Sequence, residues 1–216
     1  IDGTGVKASS FNSDISNWNT ENVTNMKGAF RSATIFNQPL NSWNVSSVKN
    51  MSRTFELATS FNKNIGSWNV SGVTDMNKIF SYTTVFNNGE SPDIGNWNVA
   101  AVTDMEETFR ESIAFNQPIG SWNVGSVEKM NGMFQFALIF NQDITGWNVG
   151  SVEIMQMMFK GAPIMSQNIW VWDVGMVNPA TGFNNIFDSA TDMLAISNGA
   201  SLPDNNAQAV TGGSQP

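Results

Sequence analysis

Apolar and polar positions along this chain repeat in a block of 25 residues. Phe11, Phe36, Phe61 and Phe86 mark the period, and Phe115 and Phe140 continue it after a slip of four. Let each such Phe be position 1, leaving out the four extra residues at 88–91. Position 5 is then aliphatic, from Ile15 to Ile169, and position 8 is Trp, from Trp18 to Trp172. Position 13 is Val from Val23 to Val177, position 16 is Met from Met26 to Met155, and position 20 is Phe from Phe30 to Phe159. Position 23 stays small: Ala33, Ala58, Thr83, Ser112, Ala137, Ala162 and Ala190. One such unit cannot bury its own apolar face. Units stacked on each other can.

Two shorter periods lie inside each unit. Trp-Asn-Val alternates apolar and polar, which predicts a short strand with Trp and Val inward and Asn outward. Val23, Met26, Phe30 and Ala33 fall at steps of three, four and three, which predicts one face of a short helix or helical turn. Thr103 followed by Glu106 has the spacing of a capping box. The expected fold is therefore a repeat solenoid of about seven 25-residue coils. Each coil would be a short parallel β-strand plus a short helix or helical turn. The Asn after each repeated Phe (Asn12, Asn37, Asn62, Asn87, Asn116, Asn141) is expected to hydrogen-bond backbone in its own turn and in the next coil.

Residues 1–10 read as a partial N-terminal repeat or cap, 11–193 as the repeat array, and 194–216 as a cap extension or linker. The seventh unit is irregular, with Met165 in the Phe place, Trp170 beside Trp172, and Pro163 and Pro179 interrupting. Because the chain starts at Ile1, it reads as a piece of a longer protein.

Composition removes whole classes of chemistry. With no Cys and no His, disulfides, thiol nucleophiles and imidazole catalysis are excluded. Nothing in the pattern calls for a cofactor or a metal. Asn88, Gly89, Glu90 and Ser91 read as a turn-rich bulge, and Glu90 with Asp93 would be the oxygens of a calcium site there. The net charge is −8 with 13% charged residues, a poor footing for nucleic-acid binding. No apolar run approaches the ~18 residues of a membrane span.

The pattern Phe-Asn-Gln-x-Ile/Leu-x-x-Trp-Asn-Val-x-x-Val-x-x-Met-x-x-x-Phe-x-x-Ala is clearest from Phe36 to Asn62. It resembles the repeat of bacterial surface proteins and lipoproteins, including the BspA-like leucine-rich-repeat proteins and a Mycoplasma-type lipoprotein repeat of unknown function. The resemblance covers about Ala8 to Met193. It implies a leucine-rich-repeat-like solenoid, an extracellular or cell-surface location, and adhesion or protein interaction. It transfers no catalytic residue.

Two surfaces stand out as candidates for binding. The first is the outward row Asn19, Asn44, Asn69, Asn98, Asn123, Asn148 and Asp173, a ladder suited to a peptide or sugar. Its competing reading is an amide ladder that stabilises itself. The second is the off-template aromatics Tyr82 and Phe136, with Leu57 at the same place, against packing under a neighbouring loop. The function expected is a non-enzymatic binding or adhesion module for a protein or glycan ligand on another cell or matrix. A passive spacer is the alternative. A carbohydrate-active enzyme is disfavoured, because Glu106, Glu107, Glu128, Glu153, Asp75 and Asp104 sit at differing offsets.

Overall fold

The computed structural model describes residues 8–192. Within them, 25-residue lengths of chain lie on one another in register. Parallel bridges join Asn25 to Asn50, Asn50 to Asp75, Asp75 to Asp104, Asp104 to Lys129, and Lys129 to Ile154. The expected cap at 1–10 lies mostly, and the extension at 194–216 wholly, outside the described residues.

The expected strand-plus-helix coil is not what the chain forms. The described residues hold no β-strand and no complete α-helix. Their named elements are three short 3-10 helices, Asn88–Glu90, Pro92–Asn96 and Ile169–Val171. The leucine-rich-repeat-like solenoid is corrected accordingly. The in-and-out alternation of Trp-Asn-Val does hold, since Trp68 and Val70 are buried and Asn69 is exposed. No ladder runs along it, however. Trp97 has φ −60° and ψ 128°, nearer polyproline II than a pleated strand. Trp68 N–H turns back onto the Ile65 carbonyl at 3.1 Å instead of pairing with a neighbouring coil.

The expected helix is a run of β-turns. In the first unit, the amides of Ala29, Arg31 and Ala33 donate to the carbonyls three residues earlier, Met26, Gly28 and Phe30. The intervening amides of Met26, Gly28, Phe30 and Ser32 donate across to Asn50, Ser52, Thr54 and Glu56 of the next coil. Every second amide thus points along the stack, which an α-helix does not allow. Left-handed backbone at positions 18 and 22 makes this possible. Gly28 and Ser32 have φ of 64° and 59°, and Arg53, Leu57, Lys78 and Tyr82 repeat the arrangement with φ between 56° and 62°. The turns put Met and Phe inward four residues apart, which is the spacing that mimics a helix face. Thr103 forms no capping box. Its hydroxyl donates to the Thr74 carbonyl of the preceding coil at 3.4 Å, and the Glu106 amide goes to Asp104 Oδ1 at 3.0 Å.

The core runs along the stack. Phe36, Phe61, Phe86, Phe115 and Phe140 are fully buried, as are Phe55, Phe80, Phe109 and Phe134. The two Phe columns meet at close range, with ring centroids 4.1 Å apart for Phe55 and Phe61 and 3.9 Å for Phe109 and Phe115. Trp97 and Trp122 lie 6.2 Å apart and 4° from parallel. Coil registry imposes this offset stacking, and each ring buries a large area in it. The indole N–H needs a partner once buried. Trp43, Trp68 and Trp122 donate Nε1 to the carbonyls of Ile15, Leu40 and Ile94 in the preceding coil at 2.9–3.0 Å.

The Phe–Asn corner forms the ladder expected between coils. Asn12 Oδ1 accepts the Asn37 amide at 2.9 Å, Asn37 the Asn62 amide at 3.0 Å, and Asn62 the Asn87 amide at 2.8 Å. Asn87 and Asn116 continue it to Asn116 and Asn141, each at 3.0 Å. The insertion after Asn87 is packed. Asn88 is fully buried, accepts the Ile65 amide at 2.9 Å and donates to the Ser91 carbonyl at 2.8 Å.

Candidate functional site

The Trp-Asn-Val row stands exposed along one side of the stack, and each member is tied to its own turn. Asn44 Oδ1 accepts the Ser46 amide at 3.1 Å, Asn69 that of Ser71 at 3.2 Å, and Asn98 that of Ala100 at 3.2 Å. Asn19, Asn123, Asn148 and Asp173 do the same with the residue two further on, at 3.1 Å each. Among the described residues, no amide-to-amide bond joins one member to the next. The Nδ2 groups of Asn44, Asn69, Asn98, Asn123 and Asn148 have no protein partner there, so the row offers donors to solvent at one per coil.

Tyr82 and Phe136 sit at the same place two coils apart, both half-buried. Each has a local reason to be there. The Arg110 guanidinium lies over the Tyr82 ring, 5.3 Å from its centroid. Desolvation by burial is the main cause that pushes the Tyr82 hydroxyl up, with Glu111 and Glu107 adding to it against Arg110. Phe136 covers Gly161, where an added Cβ would stand 2.3 Å from the ring. Gly161 also has φ 66°, so it is a glycine on two counts. Each ring thus packs on a residue of the following coil. No contact among the described residues joins them to the asparagine row. Trp170, also off-template, meets Phe187 edge-on at 5.6 Å, and its Nε1 is buried without a partner.

The charges cluster on the turn run. Glu56 is buried and pairs with Arg31 at 2.6 Å and Arg53 at 3.6 Å. Glu107 takes Lys78 at 3.5 Å and Arg110 at 3.1 Å. Burial works to lower the Arg110 guanidinium, but the Glu107 hydrogen bond and charge outweigh it, and Arg110 ends above its usual range. Asp75 and Asp104 occupy neighbouring coils. Asp75 accepts from Asn50 Nδ2 at 2.8 Å, and Asp104 pairs with Lys129 at 3.5 Å. In the insertion, Glu90 accepts from Asn87 Nδ2 at 2.8 Å and Asp93 from Asn64 Nδ2 at 3.4 Å, so these two acids serve the packing of the bulge.

Two features escaped the sequence reading. One is an exposed apolar stripe just before the repeated Phe: Ile35, Val85, Ile113, Leu138, Ile139 and Ile164, between 38% and 48% exposed. Its signal was a second apolar residue one or two places before Phe36, Phe86, Phe115, Phe140 and Met165, though not before Phe11 or Phe61. The other is an open cavity of about 280 Å³ on the turn run, lined by Glu107, Arg110, Asn131, Gly132, Gln135, Gln156 and Met157. Its signal was a glycine at position 18, where neighbouring coils carry Lys78, Glu107 and Met157.

The family model for the Mycoplasma protein of unknown function, DUF285, matches residues 6–92 and again 84–198. No curated protein matches the sequence. The matched segments cover most of the chain, and they overlap where the insertion interrupts the repeat. The chain belongs to the DUF285 repeat family.

Proposed function

We propose that this DUF285 chain is a non-enzymatic binding module of a cell-surface or secreted protein, of the BspA-like kind, that presents one face of its coils to a protein or glycan partner. One observation supports the reading above others. On the turn run, backbone amides carry the coil-to-coil hydrogen bonds, so the outward side chains are not needed for them. Those side chains change from coil to coil: Arg53, Lys78, Glu107, Gly132 and Met157 at one place, Leu57, Tyr82, Glu111, Phe136 and Gly161 at another. The inward columns barely change. A framework that holds itself by backbone leaves its surface free to be adapted to a partner. The step from repeat framework to partner binding is an argument by fold-level analogy.

The test is a binding screen of the whole chain against glycans and host surface proteins. It is repeated with Asn69→Ala and Asn98→Ala, and with Tyr82→Ala and Phe136→Ala. Loss of a hit in either pair assigns the face. A screen with no hit for the parent chain removes the binding module and leaves the passive spacer.

A further inference from the structure

Away from the exposed row, the side-chain amides that are buried or half-buried in this protein are mostly occupied, Asn77 being an exception. The corner asparagines form the ladder, and Gln117 and Gln142 donate to the Asn87 and Asn116 carbonyls at 3.0 and 2.9 Å. Three carboxamides around Gly132 break the rule. Asn131 and Gln156 are half-buried, and their side chains make no hydrogen bond among the described residues. Gln135 is only 7% exposed. Its one side-chain hydrogen bond among the described residues is Nε2 to Met157 Sδ at 3.8 Å, and a thioether is a weak acceptor. Its Oε1 faces the gap left by Gly132, 3.3 Å from where a Cβ would stand. Arg110 Nε, in the same wall, is buried without a partner. Arg110 Nε has thus lost water without gaining a protein partner, and the three carboxamides turn their spare donors and acceptors to the same cavity.

The geometry points to a binding site for a neutral, hydroxyl-rich ligand of about monosaccharide size in the cavity around Gly132. The cavity, about 280 Å³, lies just below the usual range for drug-sized ligands, which suits a smaller one. A carboxamide both donates and accepts, and so does a sugar hydroxyl, so three of them around one volume match a polyol. Charge gives little pull on an ionic ligand, because Lys78 and Arg110 are balanced by Glu107 and the nearby Glu111. Gly132 and the Met157 thioether supply apolar surface for the C–H face of a ring. An extended peptide needs a long groove running across many coils, whereas the lining of this volume ends at Glu107 in the preceding coil and Met157 in the following one.

The inference rests on the binding-module reading and names a site apart from the asparagine row and the two aromatics. Glucose, galactose, mannose and N-acetylglucosamine are titrated into the whole chain by calorimetry and ligand-observed NMR, with glucuronate as the charged comparison. Gly132→Arg fills the cavity. The backbone can hold the change, since Arg53 occupies the same place at φ 58°, at the cost of left-handed strain and a slight shift of the Glu107 side chain, 3.1 Å from the new Cβ. Gln156→Ala removes one carboxamide without a buried bond to break. Binding of a neutral sugar is expected, weakened at least tenfold by Gly132→Arg and several-fold by Gln156→Ala, with the thermal transition unchanged in Gln156→Ala and lowered, but still a single cooperative step, in Gly132→Arg. Failure of all four neutral sugars, preference for glucuronate, or equal binding by both variants overturns the site. A protein partner that binds parent and Gly132→Arg alike would leave the module standing and remove this cavity from it.

Discussion

The Phe–Asn corner and the turn run join the same coils by different means. At the corner a side chain does it: from Asn12 to Asn116 each Asn Oδ1 takes the amide of the next Asn, and Asn141 that of Ser166, so Asn is kept in six coils running. On the turn run the backbone does it, and positions 18 and 22 accept Gly, Ser, Arg, Leu, Lys, Tyr, Glu, Phe and Met alike. Left-handed backbone at a non-glycine residue is unfavourable by roughly 1–2 kcal/mol. The turn run accepts that cost again and again in exchange for an amide-to-carbonyl bond along the stack. The corner is therefore invariant and the turn run is variable. Variation is what a surface needs in order to be specific.

The sharpest way to break both regions at once is to remove a ring they share. Phe80 belongs to the turn run and stacks on Phe86 of the corner at 4.1 Å, as well as on Phe55 and Phe109. Phe80→Ala is expected to destabilise by about 3–5 kcal/mol. Chemical denaturation checks it, and a cost under about 1 kcal/mol would mean that the columns are not a shared core.

The corner alone is tested by Asn62→Ala. Asn62 Oδ1 accepts the amides of both Asn87 and Gly89, at 2.8 and 2.9 Å. Leaving the half-buried Asn87 amide unpaired is expected to cost about 1–3 kcal/mol. Asn69→Ala, on the exposed row, is expected to stay within about 0.5 kcal/mol. Equal effects in the same denaturation assay would show that the two asparagine columns are not different in kind.

How much of this was legible depends on which group makes the bond. The core columns were read correctly because burial acts on side-chain identity, and Phe55, Met76 or Val102 could be nothing else. The Asn12-to-Asn141 ladder was legible for the same reason. The turn run was misread because its inward residues, Met26 and Phe30, stand four apart, as on a helix. What excludes a helix is φ, which leaves a trace in sequence only where the residue is glycine: Gly28, Gly132 and Gly161. Arg53 or Tyr82 gives no such sign. The cavity was hidden likewise, since Gly132 reads as a turn residue until its neighbours in the stack are known. The asparagine row was placed correctly on the outside, but its bonding within each turn was not foreseen.

A smaller effect sharpens the account of the turn run. An added Cβ at Gly28 would meet nothing nearer than Arg31 Cβ at 3.7 Å, so space is available and only conformation resists. Gly28→Ala should therefore cost about 1–2 kcal/mol, the left-handed penalty. Ser32→Gly, at φ 59°, should be neutral to stabilising by up to about 1 kcal/mol, the relief being partly offset by the greater freedom of glycine when unfolded. A tolerated alanine at 28 would mean that these turns are not left-handed in solution.

The smallest effect expected is electrostatic and lies just beyond the corner. Asp14 and Asp143 occupy the same place in their units, and each accepts hydrogen bonds from the residue two further on. Thr145 gives Asp143 both its hydroxyl, at 2.7 Å, and its amide, at 2.9 Å. The Thr145 side-chain bond, then the backbone bond, hold the Asp143 carboxyl below its usual value. At Asp14 the Ser16 backbone bond is the larger cause. A lowered folded value means that the charged form is favoured by folding. That contribution is fully present above the unfolded value of about 3.9 and is lost as pH falls through the lower, folded value. Both carboxylates are fully exposed, so the effect on stability should be slight, and the titration itself is the better readout. Carboxyl NMR should place both midpoints below 3.9, and Thr145→Ala should raise that of Asp143 while leaving Asp14 where it was. Equal midpoints in Thr145→Ala and the parent chain would show that the hydroxyl does not reach the carboxylate, and that the corner is held by backbone and asparagine alone.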